Sequence, residues 1–303
     1  MMHIWGSYFV HVPKVLQNDI MDRLNIGIIG GTGGMGRWFK NFFSESGHNV
    51  LISGRKTEIT YEDVAKKCDV VILSVPLDAA ISISEEIGPV MSQNQLLMDF
   101  CSLKESILKN MLSSTSAQVT GTHPLFGPFT DSITGQNIIV CHGRGTKWLE
   151  WLEDEFTKKG AIVTHMDPVT HDRNMAVVQG LTHLLTICLG RTLQKLNMAP
   201  SDAVLYSTPV FRLKIDLLAR LFAQDLGLYA NLIGKNTHVK DTVDTFLSAM
   251  DEAKKCLLSG QDENAISFME NIRDFLGDYC RDGLEESNKI LTALYSEKNN
   301  SHS

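Results

Sequence analysis

From Leu24 to about Met166, short apolar runs alternate with amphipathic stretches. The runs Ile26–Ile29, Val50–Ser53, Val70–Val75, Leu96–Phe100, Val119–Gly121 and Ile138–Cys141 predict strands, each nearly continuous in hydrophobicity. Such continuity marks a sheet covered on both faces, where neither side of a strand meets water. Between them, Met35–Ser46, Tyr61–Lys67, Leu77–Val90, Lys104–Ser113 and Lys147–Lys159 carry the helical period. The alternation predicts right-handed crossovers and an α/β fold: a Rossmann-type, doubly wound, mostly parallel sheet. After Asp167-Pro168 the pattern changes to long apolar-periodic stretches without strands. Pro168 suits a helix start, and His171–Leu196 reads as one long, mostly buried helix. Pro200 and Pro209 open the next helices, while Gly234 and Gly260 mark later breaks. The expected organisation is an extension at 1–23, a dinucleotide-binding domain at 24–167 and an all-helical domain at 168–303. The helical half has no obvious compact core of its own. It is expected to bury its surplus apolar faces on a second copy, as a homodimer.

Composition narrows the partners. A formal net charge of −7 over 303 residues argues against nucleic acid and anionic membrane, which both reward basic surfaces. No run reaches the roughly 18 apolar residues of a membrane span, and Met1–Arg23 lacks the layout of a signal peptide. Six scattered cysteines without C-x-x-C spacing fit reduced thiols in a cytoplasmic protein. No His/Cys/Asp cluster has metal-ligand spacing, so no metal is expected.

The segment Asn25–Gly36 contains G-x-G-x-x-G as Gly31, Gly33 and Gly36. In the usual arrangement Gly31 allows the tight turn, Gly33 the approach of a pyrophosphate and Gly36 close helix–strand packing. Thr32, Gly34 and Met35 complete the loop, whose helix N-terminus offers free N–H groups to phosphates. The motif follows an apolar strand and precedes a helical pattern, which is the context it needs. An NAD site usually ends its second strand on an acid that binds the ribose 2′-OH. Here that stretch reads Val50-Leu-Ile-Ser-Gly-Arg-Lys56. Ser53, Arg55 and Lys56 suit a 2′-phosphate, so NADP is favoured over NAD; a solvated basic turn is the plainer alternative. Val75 and Pro76, at the end of another strand, are placed to touch the nicotinamide half or to serve as simple turn residues.

Five stretches give the chain a resemblance. They are Gly30–Gly36, Asp99-Phe-Cys-Ser-Leu-Lys104, Gly121-Thr-His-Pro-Leu-Phe-Gly-Pro128, His171-Asp-Arg-Asn-Met175, and Arg212 through Arg220-Leu-Phe-Ala-Gln-Asp225. Together they resemble the prephenate dehydrogenase family of tyrosine biosynthesis, especially the dehydrogenase half of the enteric enzymes that also carry a chorismate mutase. The short segment before Leu24 leaves no room for a mutase domain, so a stand-alone dehydrogenase is expected. The resemblance implies oxidative decarboxylation of a cyclohexadienol diacid, with hydride passing to NADP or NAD. It makes His123 the acceptor of the ring hydroxyl's proton, since an imidazole titrates near neutrality. Ser102 is expected to orient the hydroxyl or His123, and Lys104 to contact substrate or hold its loop. Arg220 is expected to clamp a carboxylate bidentately, and Arg212 to serve the fold. Gln179, His183 and Gln224 are expected near the ligand, with helix-interface roles as the alternative for the first two. The matched residues address the ring, so prephenate, arogenate and 4-amino-4-deoxyprephenate all remain open. A different β-hydroxy-acid dehydrogenase or a related reductase, and a non-catalytic NADP-sensing protein, are the readings outside that group.

Overall fold

The computed structural model describes residues 23–300; the expected N-terminal extension lies, up to residue 22, outside them. The strands are β1 (Asn25–Ile29), β2 (Asn49–Ser53), β3 (Val70–Leu73), β4 (Leu96–Asp99), β5 (Gln118–Pro124), β6 (Asn137–Arg144) and β7 (Ile162–His165). They form one sheet in the order β2-β1-β3-β4-β5-β6-β7, parallel throughout except between β5 and β6. Side chains alternate between its faces. Val70 and Ile72 of β3 pack with Phe39 and Phe43 of α1 (Gly34–Glu45) and with Trp148 and Phe156 of α5 (Lys147–Thr157). Val71 and Leu73 pack on the opposite face with α2 (Tyr61–Lys67), α3 (Leu77–Ile87) and α4 (Glu105–Ser114). Both faces being covered is why the strands read as unbroken apolar runs.

One strand beyond those expected, β7, is present, and several others end elsewhere than expected, β5 and β6 running longest past their expected bounds. β7 went unread because it is an edge strand with mostly exposed side chains, so burial imposes no apolar signature on it. β5 continues three residues past Gly121. Its pairing with β4 stops at Asp99 and Gly121, but β6 carries it on through Thr122–Val140, His123–Ile139 and Pro124–Ile138. Pro124 is tolerated there because no β4 partner requires its missing N–H.

Asp167 caps the second half, accepting from the Val169 and Thr170 amides at 3.1 and 2.9 Å. The long helix begins at Pro168 as α6 (Pro168–Met175), widens into a π turn at Ala176–Leu181, and continues as α7 (Thr182–Lys195). It is less buried than expected, with Val177, Val178 and Leu185 exposed. Against the sequence reading, it is also long and apolar enough to cross a membrane by length and composition. His171, Asp172 and Gln179 of this helix, however, are bonded into the sheet half, as described below. The remaining helices are α8 (Pro200–Leu205), α9 (Pro209–Phe222), α10 (Leu226–Gly234), α11 (Val239–Leu257), α12 (Asp262–Leu276) and α13 (Tyr279–Asn300). With α7 they enclose, among the described residues, two small clusters, Leu193–Ile215–Leu218 and Leu221–Tyr229–Leu232. Large apolar side chains stay in the open, led by Phe275 at 88% and Leu205 at 84% exposure. So much uncovered apolar surface marks a face that packs on something else.

Candidate active site

β1 and β3 are neighbours although β2 separates them in sequence. The winding therefore reverses between them, and the carboxyl ends of the strands open there into a crevice, the usual ligand position in such sheets. The loops after β1, β3 and β4 and the far end of β5 all reach it.

The glycine turn is built by close approach. Gly30, with φ +88°, makes the left-handed turn expected at Gly31, and a Cβ there would lie 2.2 Å from the Ser74 carbonyl. Gly31 is instead restricted by Ile52, 2.5 Å from its would-be Cβ, and Gly36 by the Gly30 carbonyl at 2.3 Å. Behind the turn, α1 starts with no side-chain cap and no acidic residue in its first turn. Its free N–H groups and positive end fit the phosphates of a dinucleotide. Thr32 and Gly33 are exposed at this edge, with Gly34 and Met35 half-buried. Val75 touches the turn, its Cγ1 lying 2.7 Å from the Gly30 Cβ position, and Pro76 precedes α3.

Of the three residues expected at a 2′-phosphate, the structure brings out two. Ser53 is fully buried, and its hydroxyl donates to the Ile59 carbonyl at 2.5 Å. It closes the β2–α2 loop instead of facing a ligand. Arg55 and Lys56 project from that loop, both exposed. Thr32 packs against the same loop at Gly54, and Arg37 donates to the Thr32 carbonyl. That adds a third cation, unforeseen in the sequence, to this end of the crevice.

His123 is buried on β5 at the centre of a hydrogen-bonded chain. Its Nδ1 lies 2.9 Å from Nε2 of His171, whose Nδ1 lies 2.6 Å from the Asp172 carboxylate. Asp172 also accepts the backbone N–H groups of Lys104 at 2.7 Å and Glu105 at 3.0 Å. Its charge thus rests on the N-terminus of α4. Two neutral imidazoles satisfy this chain in one way: His171 gives its Nδ1 proton to Asp172, and His123 gives its Nδ1 proton to His171. The lone pair of His123 is then on Nε2, where the Gln179 amide reaches it at 3.2 Å. Burial, then His171, then Lys104 hold the His123 imidazole well below its ordinary value of 6.5. It is accordingly an unprotonated base at neutral pH. The sequence analysis places His171 only in a motif and assigns no role to the His171-Asp172 pair.

Of the two roles expected for Lys104, its contacts are those of holding its loop. It is fully buried, paired with Asp99 and donating to the Thr122 carbonyl at 2.9 Å. This ties the β4–α4 loop beneath the strand that carries His123. Replacing Lys104 by methionine leaves Asp99 buried without its partner. A loss of about 3–5 kcal/mol of folding stability is expected, read as a lowered denaturation midpoint; an unchanged midpoint with a raised KM would return Lys104 to the substrate. Ser102 is half-buried in that loop and makes no hydrogen bond to His123, so its hydroxyl is available to a ligand.

Arg220, in the last turn of α9, is exposed. Its guanidinium lies over the Phe129 ring at 5.9 Å, and Phe129 belongs to the loop that follows His123. The guanidinium also acts electrostatically on Tyr229. The Tyr229 ring meets His183 at 4.8 Å, and His183 stands one helical turn beyond Gln179. Arg220 and His123, from different halves of the chain, are thus related through the Phe129 loop on one side and through Tyr229, His183 and the Gln179 helix on the other. Pro128 of the same loop lies 3.0 Å from the Cβ position of Gly34, which brings the glycine turn to the cleft as well. Gln224 is turned back, its amide donating to the Arg220 carbonyl at 3.0 Å. Arg212 pairs with Asp216, consistent with its expected part in the fold.

Two family models match consecutive parts of the chain: the prephenate dehydrogenase nucleotide-binding domain over residues 49–165 and the prephenate dehydrogenase dimerization domain over 167–272. A probable arogenate/prephenate dehydrogenase of Methanocaldococcus jannaschii is 33% identical, the match covering 90% of this chain and 66% of that protein. The T-protein of Haemophilus influenzae is 32% identical over 92% of this chain and 73% of its own length. Among solved structures, prephenate dehydrogenase from Aquifex aeolicus, in complex with hydroxyphenyl propionate and NAD+, superposes with a TM-score of 0.68. It is 20% identical and covers 82% of this chain and 96% of its own; that likeness is one of fold.

Proposed function

Because the chain belongs to the prephenate dehydrogenase family, we propose that it converts prephenate to 4-hydroxyphenylpyruvate and CO2 with hydride transfer to NADP. The observation that carries the reading is the Asp172–His171–His123 chain, which ends on an unprotonated Nε2 in the cleft. When bound, the nicotinamide supplies the hydride acceptor; the glycine turn and the free end of α1 are built to hold its phosphates. His123 takes the ring hydroxyl's proton as the C4 hydride departs. His171 and Asp172 steady the imidazolium that forms, because its Nδ1 proton already points along the chain. As the bond from C1 to the ring carboxylate breaks, its electron pair completes the aromatic ring and CO2 leaves. The proton returns to the phenolic oxygen, so His123 ends as it began. Ser102 orients the hydroxyl and Arg220 binds the side-chain carboxylate, with His183 against the Tyr229 ring beside it. The hydroxyphenyl propionate held by the Aquifex protein, a phenol with an acidic side chain, has the shape this division of labour requires.

NADP is favoured over NAD because β2 ends without an acid and Arg55 and Lys56 stand exposed beside Thr32. Arg55→Ala is expected to raise the KM for NADP about tenfold or more while changing that for NAD little, since one charged hydrogen bond to phosphate contributes about 1.5–3 kcal/mol. Equal losses with both cofactors would reverse the preference. Arogenate differs only in its side chain, and the name of the Methanocaldococcus relative includes it. Assaying prephenate, arogenate and 4-amino-4-deoxyprephenate with each cofactor tests the reading. Turnover is expected to be fastest with prephenate and NADP; cofactor binding without turnover of any of the three would favour an NADP sensor. The reading includes a homodimer formed through the helical half, supported by its exposed apolar side chains and the matched dimerization-domain model.

A further inference from the structure

Gln179 sits in the only π turn among the described residues, Ala176–Leu181. Such turns interrupt the regular helix and collect at functional sites. Next to it, Gly180 is buried against Val239 of α11, whose Cγ2 would lie 2.6 Å from a Cβ. At Gly180 the Val239 side chain of α11 thus packs directly on the backbone of the long helix, and the widened turn presents Gln179 to β5. There the Gln179 Nε2 group donates to the Nε2 lone pair of His123 at 3.2 Å, the pair needed for the substrate's proton. The other end of the amide, Oε1, is buried without a donor. Nothing except His123 therefore fixes the carboxamide, and it can turn without breaking another bond.

We propose that Gln179 is a positioning residue that caps the base in the empty enzyme and passes its N–H to the substrate's ring oxygen on binding. This rests on the reading of His123 as the base. When the ring hydroxyl donates to His123 Nε2, the amide loses its acceptor, and the hydroxyl oxygen offers a replacement a short rotation away. That oxygen gains electron density as its proton leaves, so the transferred N–H strengthens its hold as the reaction proceeds. In the empty enzyme the same N–H occupies the lone pair that a solvent proton would take.

The test is the titration of His123 followed by NMR in the unliganded enzyme, alongside pH profiles of kcat and kcat/KM. The variants are Gln179→Met, which keeps length but removes both polar ends, and Gln179→Glu, which places an anion beside the imidazole. The titrating groups packed around His123 are His171 and Asp172 from α6 and the Lys104–Asp99 pair beneath it, all unchanged in both variants. In Gln179→Met the His123 titration is expected to move up by about half to one pH unit, as one hydrogen bond to the neutral form is lost. Its kcat is expected to fall about tenfold with no rise in KM. In Gln179→Glu the titration moves up further, and that order holds whether or not the methionine variant folds well. A titration that stays in place in the variants, or a raised KM with kcat unchanged, would overturn the proposal. If wild type turned over no cyclohexadienyl substrate, the family-based reading would fail by itself, while the titration would still report on the cap.

Discussion

Replacing His123 by asparagine is expected to lower kcat about a thousand-fold while leaving the KM for prephenate nearly unchanged. Asparagine keeps a hydrogen-bonding group of similar reach but cannot take a proton, and general-base catalysis contributes roughly 10²–10⁴-fold. Binding is expected to survive because the proposed function gives the carboxylate to Arg220 and not to the base. The pH profile carries a second signature. Burial and the neighbouring His171 and Lys104 hold the imidazole well below 6.5, so the unprotonated base persists through neutral and mildly acid solution. In wild type, kcat/KM should stay level as pH falls through 6.5 and decline only below it; the asparagine variant should lack that decline. Steady-state kinetics of the two proteins across pH supplies both readouts.

Replacing Arg220 by glutamine is expected to act on binding instead. A guanidinium meets a carboxylate with two parallel N–H groups, and glutamine offers one uncharged amide. If bound substrate covers the pair from water, its loss costs about 2–4 kcal/mol, or roughly 30- to 1,000-fold in affinity. Arg220 has no acidic partner among the described residues; its contacts are the Phe129 ring and the nearby Tyr229. The substitution therefore breaks no ion pair of the folded protein, and the denaturation midpoint should hold. Substrate affinity by calorimetry and KM by kinetics should fall together, with kcat less affected. A variant that binds normally but turns over slowly would mean that His123 and Arg220 exchange roles.

The sheet half was legible in the sequence because double-sided burial forces continuous apolar strands, as in Val70–Leu73, and because the crossover helices keep their own period. The exceptions have physical causes. β7 borders solvent, so nothing required it to look like a strand. The π turn at Ala176–Leu181 uses residues that any helix accepts, and it becomes visible only in the backbone. At the site, His123 and Arg220 could be singled out by motif, yet motif does not report where a side chain points. Lys104 and Ser53 are both of suitable chemistry and both turned inward, one to Asp99 and one to Ile59. The His171–Asp172 pair was harder still. Adjacent helical residues ordinarily face different ways, and their connection to His123 exists only once the long helix lies against β5. Arg37 stands beside the nucleotide loop through a carbonyl, Thr32, that no residue pattern encodes.

A crystal structure with NADP and 4-hydroxyphenylpyruvate bound together would decide the matter most directly. The phenolic oxygen is expected within hydrogen-bonding distance of His123 Nε2, with the side-chain carboxylate on the Arg220 guanidinium and the ring against the nicotinamide. A product molecule that reaches only one of those two side chains, or that lies away from the glycine turn, would contradict a shared site built from both halves of the chain.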